Sequence, residues 1–128
     1  MGKYEELIIQ NNHLHICDSF ELPGMFKGFY DDGVILIDKN LSNAKKLEIL
    51  SEELAHHEIT YGNILNVNDI QNKKYELKAR RLSSERIITL NGIIDAFKHG
   101  VQNLYELACF FEVTEQFILE TIEHYKQK

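Results

Sequence analysis

Glu52, Glu53 and His56 are the residues of this chain whose types and spacing can do chemistry. They stand in the run Ser51-Glu52-Glu53-Leu54-Ala55-His56-His57-Glu58-Ile59-Thr60-Tyr61. In a helix, residues four apart point the same way, so Glu52 and His56 share a face with Glu53 beside them. This is the spacing of H-E-x-x-H, in which two side chains one turn apart hold zinc and the Glu between them acts as a base. Here Glu replaces the first His. With a metal bound, three protein ligands leave a fourth position for water and lower its pKa to about 7. A neighbouring carboxylate then accepts the proton as the water attacks a carbonyl. Without a metal the reading is plainer. Leu47, Leu50 and Leu54 form the apolar stripe of an ordinary helix, and Glu52, Glu53 and His56 are its solvated side.

A third ligand has to come from another element. Glu76 lies on the next helical segment, between Tyr75 and Leu77. The alternative for Glu76 is an i,i+4 ion pair with Arg80, worth roughly 0.2–0.5 kcal/mol.

The elements that must position these groups follow from local pattern. Residues 1–10 suit a short helix through Tyr4, Leu7 and Ile8, and Leu14 to Cys17 suits a strand. Pro23-Gly24 marks a turn. Asp31-Asp32-Gly33 separates two β-prone runs and signals a hairpin, because the turn needs residues that tolerate positive φ. From Ser42, a plausible N-cap, the period becomes helical. The first helix should stop near Tyr61-Gly62. A second runs from about Asp69 to Ile88, and shorter ones cover roughly 91–98, 102–112 and 114–126. The expected fold class is α+β, a small antiparallel sheet followed by a helical remainder. One domain is expected over 1–128, with the sheet part in 1–40, the metal-site helices in 41–90 and a helical end in 91–128.

Composition excludes several classes. The chain has 128 residues, is 44% hydrophobic and 27% charged, and so suits a globular domain. Its net charge of −6 disfavours binding of phosphate backbones. Residues 104–117 look like a helix-turn-helix, but 101–128 hold five Glu and two Lys, so direct nucleic-acid contact is not expected. Two distant cysteines, Cys17 and Cys109, fit neither a disulfide framework nor a zinc cluster. No signal peptide or membrane span is visible, and a cytoplasmic protein is expected. His13, His15, His99 and His124 show no ligand spacing to one another.

Larger blocks carry a family resemblance. These are Leu50-Ser51-Glu52-Glu53-Leu54-Ala55-His56-His57, Thr60, Gly62-Asn63-Ile64, and Tyr75-Glu76-Leu77-Lys78-Ala79-Arg80-Arg81. Upstream the match reaches Gly33 to Asp38, and downstream Tyr105 to Ala108 and Val113 to Phe117. Together they resemble the ImmA/IrrE family, most closely its short members in phages and mobile elements. The resemblance implies a zincin-like minimal metallopeptidase, with zinc as cofactor and a helix-turn-helix repressor as protein substrate. It assigns Glu52, His56 and Glu76 as metal ligands, Glu76 opening the family's E-x-x-A pattern, and Glu53 as the general base. His57 and Tyr61 are candidates for steadying the oxyanion. A hairpin edge near the cleft is a candidate for pairing with an extended substrate.

Glu52 departs from the family pattern, which has His there. Two carboxylate ligands cancel the charge of a dication, weaken it as an acid and make manganese or iron admissible. Replacement by His57 as ligand is a second possibility, although it is rotated 100° from His56 on a regular helix. A third is a degenerate site in a non-catalytic protein that binds the repressor as an anti-repressor.

Overall fold

Helix α2 is the axis on which the other elements are assembled. The structure, a computed structural model, describes residues 2–62 and 69–127. Its elements are α1 (Lys3–Gln10), β1 (His15–Cys17), β2 (Gly28–Asp31), β3 (Val34–Ile37), α2 (Asn43–Gly62), α3 (Asp69–Ile87), α4 (Leu90–Lys98), α5 (Leu104–Phe111) and α6 (Glu115–Lys126). This is an α+β fold, with the sheet first and the helices after it.

The β2–β3 hairpin forms as its turn residues dictate. Asp32 and Gly33 both take positive φ, 47° and 79°, the combination that lets a two-residue turn follow the twist of its strands. Along β3, Ile35 and Ile37 are fully buried and Val34 is exposed, the period-2 alternation of a sheet with one face on the core. The sheet itself is mixed, where a wholly antiparallel one was expected. Its order is β1-β3-β2, with β2 antiparallel and β1 parallel to β3. The ten residues between β1 and β2 are long enough to pass over β3, so β1 lands beside the strand that shares its direction.

Ser42 caps α2, its Oγ accepting from Lys45 N at 3.2 Å. Leu47, Leu50 and Leu54 are buried as their spacing requires, but Ser51, Ala55 and Ile59 are buried too. The helix therefore packs on more sides than one leucine stripe implies. It contacts β2, β3, α1 and, most extensively, α3.

The α2–α3 interface is built from small side chains. Ala55, Ile59 and Ala79 form a buried cluster with Leu82 against it. Ser51 Oγ donates to Ser83 O at 3.3 Å, and buried Ser83 and Ser84 turn their hydroxyls to Arg80 O, each at 2.8 Å. Small residues allow close approach of two helix axes and leave little void. Nearer the start of α2, the buried carboxylate of Glu48 accepts from Thr114 N at 2.7 Å, which fastens the start of α6. Among the described residues, no helix is long and apolar enough to cross a membrane.

Candidate metal centre

Glu52, His56 and Glu76 converge. Each offers one ligand atom such that all three atoms lie within 4.8 Å of one another. His56 Nε2 stands 3.5 Å from Glu76 Oε2, close to the ~3.4 Å separating two donors bound at ~2.1 Å to one tetrahedral ion. Two residues come from consecutive turns of α2 and the third from α3. Ala79 explains why α3 arrives at the right rotation. It lies one turn after Glu76, and its buried methyl packs into the Ala55–Ile59 seam. A larger side chain there would hold the helices apart and carry Glu76 away from His56.

Glu53 sits beside the group, its Oε1 4.0 Å from His56 Nε2. Its side chain is 13% exposed and that of His56 is 19% exposed, so these residues are not the solvated face that the leucine stripe alone suggests. Glu76 is 57% exposed, which leaves the site open on the α3 side. Burial, and after it the charges of Glu52 and Glu76, push the Glu53 carboxyl up to about 7. Among the described residues no Lys or Arg pairs with Glu52, Glu53 or Glu76. Among the described residues, three carboxylates thus gather round one imidazole without a fixed cation. That is a donor set suited to a dication, since clustered carboxylates are costly to ionise together without one.

Strand β2 supplies the cover. A Cβ at Gly28 would collide with Ile49 Cγ2 and lie 3.4 Å from Glu53 Cγ. The missing side chain lets the strand press onto the stem of Glu53 and keep water from it. Two residues further along the same strand face, Tyr30 Oη is 2.6 Å from His57 Nδ1, with the rings edge to face at 5.2 Å. His57 is therefore engaged with the sheet and stands outside the Glu52–His56–Glu76 group. The side chains of Tyr61 and Tyr75, and the Asn63-Ile64 part of the family blocks, lie outside the described residues.

Gly28 and Tyr30 were not singled out from sequence. The available signal was their i,i+2 spacing just ahead of the hairpin turn, but nothing local shows which helix face the strand covers.

Glu52 and His56 of α2 and Glu76 of α3 thus form a cluster that could hold a metal ion, with the shielded Glu53 carboxyl beside it. The profile of the peptidase family described as IrrE N-terminal-like domain matches residues 19–123. The chain belongs to that family, which supports a metallopeptidase-type function and implies a metal ion. No curated protein matches the chain.

Proposed function

We propose that the protein is a zinc-dependent endopeptidase that cleaves a helix-turn-helix repressor of a phage or mobile element. The observation that carries this reading is the convergence of Glu52, His56 and Glu76 beside a shielded Glu53. Glu52, His56 and Glu76 would hold the ion; with two carboxylates in the set, manganese and iron are also accepted. When bound, the dication polarises the scissile carbonyl and acidifies water.

The remaining chemistry belongs to the chain's own side chains. Glu53 accepts the proton of the attacking water and returns it to the departing amine, as one group acting first as base and then as acid. Burial and the charges of Glu52 and Glu76 push its carboxyl up to about 7, a value that suits a group taking up and returning a proton near neutral pH. The Tyr30–His57 pair fixes one end of β2 on α2, and Gly28 fixes the other. In the sheet order β1-β3-β2, strand β2 is an edge, and an edge strand offers backbone groups to an extended substrate. A repressor substrate places the protein in the cytoplasm, as one domain acting on protein and not on nucleic acid.

Glu52 in place of His supports a second reading, a non-catalytic partner that binds the repressor through a degenerate site. The test is incubation of the metal-loaded protein with the repressor encoded beside it. The proteolytic reading expects cleavage that Glu53→Gln abolishes while repressor binding persists. Binding without cleavage by the unaltered protein favours the second.

A further inference from the structure

A second concavity lies away from the metal centre, between α1, the first turns of α2 and the α5–α6 turn. Its volume is about 580 Å3, within the ~300–1,000 Å3 of clefts that hold ligands. Tyr4, Leu47, Tyr105 and Val113 form its apolar lining, and Glu5, Glu112 and Glu115 its rim. None of its lining residues belongs to the metal centre, and no Lys or Arg is among them. The lysines near it in sequence are turned to other partners. Lys3 Nζ reaches Phe110 O at 3.4 Å, Lys45 Nζ reaches Glu48 at 3.4 Å, and Lys46 Nζ reaches Asp18 at 3.7 Å.

An apolar floor under a rim of one sign selects its occupant by charge. We propose that this groove docks a basic, amphipathic segment of the protein substrate. Aliphatic side chains of the segment seat on Ala44 and exposed Cys109, above buried Leu47 and Val113, and its Lys or Arg side chains meet Glu5, Glu112 and Glu115. Tyr105, with 67% of its surface exposed, provides an aromatic wall on which a guanidinium can stack. That the bound segment belongs to the substrate rests on the proteolytic reading; the binding itself does not.

Glu112 combines a rim charge with a structural role. It closes α5 in the left-handed conformation, φ 60°, where Gly is the usual residue. Its Oε1 also accepts the Lys3 amide at 3.3 Å, so Glu112→Gly removes a rim charge and a tie to α1 while relieving the backbone.

The test is fluorescence anisotropy of the full chain in chelator, where no cleavage occurs. The probe is a labelled helical peptide with Leu on one face and Lys and Arg on the other. Its control replaces every Lys and Arg with Glu. The basic peptide is expected to bind, more weakly at high salt, and the acidic one not to bind. Glu112→Gly with Glu115→Gln should raise Kd about tenfold or more, the loss of charge-assisted contacts. Glu115→Gln alone, at an exposed rim carboxylate, should weaken binding with little change in Tm, and Tyr105→Ser provides an independent check on an exposed wall. Equal binding of both peptides, or unchanged Kd in all the groove variants, overturns the proposal. Cleavage of the repressor together with that result would leave the proteolytic reading standing. Groove-dependent binding without any cleavage would do the reverse.

Discussion

At Glu53, burial and neighbouring charge act together on one side chain. Its pKa in the metal-free protein is raised from 4.5 to about 7, by burial first and then by Glu52 and Glu76. Between those two values the folded chain holds more protons than the unfolded chain. Metal-free stability therefore falls as pH rises through this window. The full penalty above pH 7 is about 3 kcal/mol, a figure set by the gap between the two values. Glu53→Gln should thus stabilise the metal-free protein by up to ~3 kcal/mol above pH 7 and by nothing below about pH 4.5. Urea unfolding across that pH range measures the difference; a constant difference would remove the assigned cause. In the metal-loaded protein the same substitution should lower kcat by roughly 10²–10⁴, the usual worth of a general base. At position 52 the prediction is directional. Glu52→His should tighten zinc binding, because it exchanges a second carboxylate for the imidazole of the common motif. Weaker or equal affinity in a chelator-competition titration would show that residue 52 does not touch the ion.

At the scale of elements, the site depends on two close approaches to α2. One is the α3 seam, in which Ala79 is fully buried. Ala79→Leu should cost about 1–3 kcal/mol by overpacking, and should weaken metal binding further by moving Glu76. A thermal melt together with a zinc titration separates the two effects; lost stability with unchanged affinity would mean that α3 does not set the ligand geometry. The other approach is β2 over Glu53. Gly28→Val should push the strand off Ile49 and admit water to Glu53, lowering kcat more than it raises KM. Much of this layer was legible beforehand. The hairpin turn, the Ser42 cap and the helix order follow from residue types acting over a few positions. The strand that covers Glu53 was not legible, because a Gly-x-Tyr spacing states a strand face and not its partner. The parallel pairing of β1 was hidden for the same reason. Strand direction depends on which edge is occupied, and no local residue encodes that.

For the whole molecule, the leucine stripe predicted a helix with one covered side, whereas α2 is enclosed by the sheet, α1, α3 and the start of α6. Glu48 illustrates the difference. It is a charged residue next to Leu47 and off the leucine stripe, yet it is buried and accepts the Thr114 amide. Glu48→Ala should cost about 1–3 kcal/mol through the unsatisfied amide and loosen α6, detectable as faster hydrogen exchange at its first turn. The Glu52–His56–Glu76 cluster was visible in outline through the E-E-x-x-H spacing and the later Glu76, since a helix repeat fixes which side chains align. What could not be read was that α3 folds back close enough to bring Glu76 within 3.5 Å of His56.

The central claim is that Glu52, His56 and Glu76 bind one divalent ion. Zinc titration of chelator-stripped protein against a competing chelator tests it most directly. The account predicts one ion per chain, with affinity sharply reduced in both His56→Ala and Glu76→Gln. An absence of binding, or equal affinity in the wild-type protein and these two variants, would contradict it.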